Sequence, residues 1–272
     1  MLDVWQQMFS FNFIVRALVV GSAVSLCASL LGVSLVLKRY SMIGDGLAHV
    51  SFGALSVALA MNMAPLEVSV PVVVIAAFFL LRISQNSRIN GDAAIALISS
   101  SAIAIGITVT SLTSGLNADV SSYMFGSILA MTQSDVRISI ILSIIVFLLF
   151  ILFYDQIFAV TFDENFAKAT GIKVELYNML IAFLTAVTIV LGMRIMGTML
   201  ISSLIIFPAL SSMRVFRSFK GVIISSAFIS VICFFLGITA SYLYSTPAGA
   251  SVVIVNALVF IVFSLLGWVK RR

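Results

Sequence analysis

Asp45 and His49 stand four residues apart in the stretch SMIGDGLAHVSFGA, residues 41–54, and His49 is the only histidine in the chain. On a helix that spacing puts both side chains on one face. A carboxylate oxygen and an imidazole nitrogen are both ligands for first-row divalent cations. Each residue alone has an ordinary reading. Asp45 could cap a helix N-terminus, where its charge suits the dipole, and His49 could be a hydrogen-bonded core histidine. The pair on one face favours function, because ionisable groups inside a membrane are costly and serve pathways. One Asp and one His are too few for a tight site. A twofold dimer would double them to two of each, setting two negative charges against a +2 ion. Zinc accepts four N/O ligands; manganese would take the same set with added oxygens.

The surroundings of the pair are those of a membrane protein. Of the 272 residues, 62% are hydrophobic and 9% charged, where soluble domains run about 45–50% and about 25%. Apolar runs about 20 residues long recur from end to end, which predicts an all-α, polytopic transmembrane helical bundle. No stretch alternates polar and apolar as a membrane barrel requires. Reading between charges predicts about nine spans, eight remaining open, in a single domain over 1–272. They cover roughly 12–37, 43–63, 65–81, 93–112, 137–154, 176–193, 195–213, 221–244 and 252–269. YMFGSILAM is apolar but too short to cross.

Charge placement orients the bundle. Lys38 and Arg39, Arg82 and Arg88, Lys168 and Lys173, Arg214, Arg217 and Lys220, and the terminal Lys270, Arg271 and Arg272 fall on one side under alternation. The positive-inside rule makes that side cytoplasmic, with the N-terminus outside and the C-terminus inside. Glu67, Asp119 and Asp135 fall opposite, with Arg137 and Arg194 as the exceptions. These basic clusters read as cytoplasmic loops rather than a nucleic-acid face. Cys27 and Cys233 lie inside apolar runs and read as packing thiols. No basic, apolar, small-residue signal peptide is evident at the N-terminus. Ala17, Gly21, Ser25 and Ser29 recur every four residues in the first span, a stripe that lets helices pack closely.

Four blocks carry a family resemblance: KRYSMIGDGLAHVSFGA, SSYMFGSILAMTQSDV, MRIMGTMLISSLIIFPAL and STPAGASVV. Together they resemble the ABC-3 family, the membrane permeases of zinc, manganese and iron ABC importers. The resemblance implies a permease of the type II ABC importer kind, a multi-pass protein of a bacterial plasma membrane. It implies that Asp45 and His49 line the translocation path at a dimer interface and coordinate the metal. The expected partners are a second permease copy, cytoplasmic ABC ATPase subunits and an extracellular metal-binding protein, with lipid around them. No permanently bound cofactor is expected; the divalent cation is cargo.

The longest region unable to sit in lipid is the loop at about 155–175. Its TFDENFAKATGIKVE predicts a short helix with Phe162, Phe166 and Ala169 on one side, stopped by Gly171. By resemblance this is the coupling segment that docks into the ATPase, with Phe162, Asp163, Glu164, Phe166, Ala167 and Gly171 as its site residues. An amphipathic connector is the alternative that the residues themselves leave open. The chain is not expected to be an enzyme. It has no G-x-x-x-x-G-K-[ST] phosphate loop; the nearest match, Gly192 to Thr198, lacks the lysine. Hydrolysis of ATP is therefore expected on a separate subunit.

Weaker features remain. Pro208 removes one helix hydrogen bond and predicts a kink in the seventh span, as a gate or as a static bend. STPAG reads as a turn, and Asp92 as a helix cap. Ser99, Ser100 and Ser101 lie where some zinc-type relatives carry a histidine, which leaves the choice among zinc, manganese and iron open. The leading expectation is a zinc importer, with manganese or iron as the alternative. An intramembrane metallohydrolase would need three protein ligands and a base; the chain has no further His, and no Glu in a span reads as a base, Glu67 falling with the external charges. A scaffold subunit would have no use for a buried Asp–His pair.

Overall fold

The computed structural model describes residues 10–86, 91–113 and 133–270. Among them, nine helices are long and apolar enough to cross a membrane, in agreement with the expectation from hydropathy, and no strand occurs. In chain order they are α1 (Asn12–Leu37), α2 (Ser41–Ala60), α3 (Pro65–Asn86), α4 (Gly91–Leu112), α5 (Gln133–Leu152), α8 (Val174–Met196), α9 (Thr198–Val215), α10 (Phe219–Tyr244) and α11 (Ala248–Val269). Two short helices, α6 (Tyr154–Phe162) and α7 (Glu164–Ala169), lie between α5 and α8. The fifth span begins earlier than its charges suggest, at Gln133, because Asp135 and Arg137 are taken into its first turns. Segment 114–132, which holds Asp119 and YMFGSILAM, falls outside the described residues.

Helices α1, α2 and α8 form the buried centre, while α4, α5 and α11 turn most of their surface outward. The small-residue stripe of α1 does what its spacing predicts. Ala17, Ser25 and Ser29 are buried, and α10 crosses close enough to bond the α1 backbone. Ser230 Oγ donates to the Ser25 carbonyl at 2.9 Å, and Ser226 Oγ to that of Ser29 at 3.4 Å. Interhelical bonds of this kind are worth about 0.6 kcal/mol each in a membrane. Cys27 and Cys233 are buried free thiols, as the sequence predicts.

The turns around α2 are tightly specified. At the end of α1 the Tyr40 amide donates to the Leu35 carbonyl and the Arg39 amide to that of Val36, with Arg39 at φ 61°. At the end of α2 the Met63 amide donates to Ala58 and the Asn62 amide to Leu59, with Asn62 at φ 54°. Both are Schellman closures, in which a left-handed residue satisfies the last carbonyls of a helix. The helix carrying Asp45 and His49 therefore enters and leaves through turns of set geometry. Its flank is equally constrained: a Cβ at Gly53 would lie 2.7 Å from the Ala102 carbonyl oxygen of α4.

Candidate metal centre

Asp45 sits in the second turn of α2, not at its N-cap, which is Tyr40. That removes the capping role for Asp45. Most of the helix is walled in by α3, α4, α8 and α9, but in its first half Ser41, Met42, Asp45 and His49 keep some exposure along one stripe. His49 Nε2 stands 3.5 Å from Asp45 Oδ2, with 23% of the histidine side chain and 42% of the aspartate side chain accessible. The i, i+4 spacing thus delivers one carboxylate and one imidazole to the same partly open face.

A third residue enters from α9. Ser202 Oγ donates to Asp45 Oδ1 at 3.0 Å and is also within 3.2 Å of the Thr198 carbonyl. One carboxylate oxygen is therefore held by a hydroxyl, and the other points to the imidazole. The residue pattern alone did not single out Ser202. The only signal was a hydroxyl pair, Thr198 and Ser202, one helical turn apart in an apolar run. Gly197 makes the approach feasible. It joins α8 to α9 at φ 84°, ψ 166°, a region essentially reserved for glycine. The weak likeness of 192–198 to a phosphate loop resolves in these terms, Gly192 lying inside α8 and Gly197 at the turn.

Ser99 lies on α4, on the side of α2 that carries Gly46. A Cβ on Gly46 would lie 3.3 Å from its Oγ, although that hydroxyl is spent on the Ile95 carbonyl at 2.7 Å. Pro208 is buried within α9, six residues beyond Ser202, and is not among the groups that meet Asp45. Asp92 occupies the first turn of α4 rather than a cap position. Among the described residues no group of three or more His, Cys, Asp or Glu side chains converges on one point.

The 155–175 region departs from the single short helix expected. The chain forms two, because Asp163 is extended at φ −150° and its carboxylate accepts the Asn165 and Phe166 amides at 2.9 and 3.0 Å. This cap starts α7. Gly171, at φ 85°, ends it through another Schellman closure, Ile172 amide to Ala167 carbonyl and Gly171 amide to Lys168 carbonyl. Phe162, Phe166 and Ala169 are exposed, and Ala167 instead packs inward against Val160 and Val174. Phe162 ends α6 with its ring beside those of Phe158 and Phe219, and Phe166 lies on the side of α7 away from Glu164, which faces the bundle. Its carboxylate receives Lys38 Nζ at 2.6 Å and Asn178 Nδ2 at 3.1 Å. Lys38, with 6% of its side chain accessible, also donates to the Val160 carbonyl at 3.1 Å and to Asn178 Oδ1 at 2.6 Å. Burial pushes the Lys38 ammonium below its ordinary range, and Glu164 pulls it back only in part. Burial raises the Glu164 carboxyl, but the Lys38 and Asn178 bonds and the charges of Lys38 and Lys168 outweigh it, leaving it below the usual carboxylate range.

At the opposite end, Arg194 Nη2 meets Asp135 Oδ2 at 2.8 Å. That pair accounts for one exception to the charge asymmetry: Arg194 carries its own counter-charge from α5.

Among the described residues, nine apolar helices with one acid–imidazole pair on a partly open helix face make a polytopic helical membrane bundle. The chain belongs to the ABC 3 transport family, whose model it matches over residues 10–267. It is accordingly an ABC transporter permease subunit rather than an enzyme, ATP hydrolysis being the work of a separate subunit. It is similar to the manganese import system permease protein ScaB of Streptococcus gordonii, 29% identical over 257 residues that span 94% of this chain and 92% of that protein. It is similar also to the high-affinity zinc uptake system membrane protein ZnuB of Haemophilus influenzae, 28% identical over 92% of this chain and 96% of that one. The solved structure of PsaBC from Streptococcus pneumoniae in complex with Fab superposes at a TM-score of 0.86, with 28% identity, covering 96% of this chain and 94% of that chain.

Proposed function

We propose that the chain is the permease of an ATP-driven importer of a divalent first-row transition metal, and that Asp45 and His49 are its transient ligands. The observation that carries this reading is the pair itself: a carboxylate and an imidazole 3.5 Å apart, oriented by Ser202 and left partly open on a membrane helix. Half a coordination shell on an accessible face suits completion by a second copy across a twofold axis. Weak, incomplete coordination in each copy also suits transport, since the ion must leave again. The bundle would be oriented with the Lys38 and Lys270 ends in the cytoplasm, where the basic residues concentrate. Helices α6 and α7, with Phe162 and Phe166 exposed, would dock the ATPase. Pro208 would give α9 the freedom to shift Ser202 as the pathway opens.

Zinc is the first reading of the cargo, because two carboxylates and two imidazoles complete a tetrahedral set without further ligands. Manganese is the second, favoured by the hydroxyl of Ser202 on Asp45 and by the lack of a second histidine, which make the surroundings rich in oxygen. The test is uptake into vesicles holding the permease, its ATPase and its metal-binding protein, offered radioactive zinc and manganese in turn. ATP-dependent accumulation should vanish in Asp45→Ala and in His49→Ala while the complex still assembles. Accumulation that survives both changes would overturn the assignment, and the metal that accumulates settles the cargo.

A further inference from the structure

The ends of α9 and α11 enclose a cleft of about 610 Å³ that the transport reading does not use. It exists for a local reason. Gly267 brings α11 so close to α9 that a Cβ there would lie 2.6 Å from the Arg214 carbonyl oxygen. Just beyond, α9 ends, and Phe216 and Ser218 are extended at ψ 143° and 141°. The chain swings away from α11 before turning into α10, and space opens between them.

Arg214, Arg217 and Lys270 all line this space. None of the lining residues is acidic, and among the described residues no carboxylate pairs with any of the three cations. Arg214 is braced rather than free to swing, its guanidinium lying 5.6 Å from the centroid of the Phe260 ring. Ser218, whose hydroxyl accepts the Gly221 amide at 3.2 Å as the cap of α10, is also in the lining. The positive end of that 26-residue helix therefore borders the same cleft. On the membrane side, α11 presents Leu258, Ile261 and Leu265 outward, each more than half exposed.

We propose that this cleft binds the phosphate headgroup of an anionic phospholipid, with the acyl chains lying along the outer face of α11. Three cations and a helix N-terminus supply the charge complement that a phosphodiester requires, and Arg214 and Arg217 offer the forked donors that suit it. A pocket of cations at the end of a membrane helix, bordered by an apolar lipid-facing surface, is the arrangement that anionic headgroups occupy. The occupant is committed to lipid because the cleft opens at the end of the least buried span of the bundle. The inference uses the membrane placement of the helices and is independent of the metal.

The experiment counts lipids retained by the intact permease released from bilayers of phosphatidylcholine alone or mixed with phosphatidylglycerol, by native mass spectrometry. Phosphatidylglycerol should be retained selectively. The combined Arg214→Gln, Arg217→Gln, Lys270→Gln variant should weaken that retention on the order of a hundredfold. The single Lys270→Gln variant, at an exposed helix end, keeps the test usable if the triple variant fails to fold, and should weaken it about fivefold. A control with Arg82→Gln and Lys173→Gln removes two cations of the same side and should leave retention unchanged. Equal retention of neutral and acidic lipid, or equal loss in the control, would overturn the proposal. Displacement by inorganic phosphate would reassign the cleft to a soluble anion. Exclusion of lipid once the ATPase is bound would reassign it to acidic side chains of that subunit.

Discussion

Ser202 of α9 holds one oxygen of Asp45 on α2, 157 positions earlier in the chain, through a 3.0 Å hydrogen bond, while the other oxygen faces His49. The proposed ligand is thus oriented by a helix other than its own. Loss of a hydrogen bond that orients a ligand typically costs about 10–100-fold in metal affinity. Ser202→Ala should raise the metal concentration for half-maximal uptake by about that factor, and Ser202→Thr should recover most of it. An uptake curve that does not move in Ser202→Ala would remove Ser202 from the site.

Protons should compete with the cargo. Coordination needs an ionised carboxylate and a neutral imidazole, so binding the metal displaces protons. Vesicle uptake at saturating binding protein should therefore decline as the outside is acidified from about pH 8 to about pH 5. A flat profile over that range, with the binding protein still loaded, would argue against direct coordination.

Glu164 ties α7 to α1 and α8, and its carboxyl lies below the usual carboxylate range in the folded chain. A depressed carboxyl stabilises the fold above its unfolded-state pKa and loses that contribution as pH falls through the folded value. Lys38 slopes the same way in the alkaline range: its buried ammonium costs stability while charged, and the fold gains as pH rises through its lowered folded value. Acidification should therefore protonate Glu164 and leave a buried ammonium without its counter-charge. Thermal unfolding followed against pH should fall on the acid side for the wild type. Glu164→Gln should be less stable at neutral pH and should lose that acid-side slope. An identical slope in the two proteins would refute the assignment.

Removing one partner of the Arg194–Asp135 pair should cost more than removing both. Asp135→Asn leaves a half-buried guanidinium and should destabilise by about 1–3 kcal/mol. Adding Arg194→Gln should return part of that loss. Unfolding midpoints of the single and double variants give the coupling; simple additivity would show that the pair contributes nothing as a pair.

Gly53→Val should overpack the contact between α2 and α4, because even a Cβ would lie 2.7 Å from the Ala102 carbonyl oxygen. A loss of about 1–3 kcal/mol is expected, together with impaired uptake as the helix carrying Asp45 and His49 is displaced. An unfolding midpoint equal to that of the wild type would show that α4 yields at no cost.

Much of this protein is written along the chain. Span number follows from the length of apolar runs, because a bilayer demands about 20 apolar residues per crossing. The Asp45–His49 face follows from helical periodicity, and a close helix approach on α1 from the spacing of Ala17, Gly21, Ser25 and Ser29. Each of these is a local or periodic property, legible without knowing what the helix touches. What tertiary structure alone decided is where residues distant in sequence meet. Nothing near Ser202 indicates that it orients Asp45, nothing near Lys38 indicates that it anchors Glu164 126 positions on, and Arg194 looks misplaced until Asp135 arrives beside it. The break in the 155–175 helix belongs to the same class. Apolar spacing put Phe162 and Phe166 on one helix face, but the Asp163 cap divided them between α6 and α7, and the pull of Lys38 on Glu164 left Phe166 outward, because satisfying buried charge and backbone amides outweighs exposing a ring.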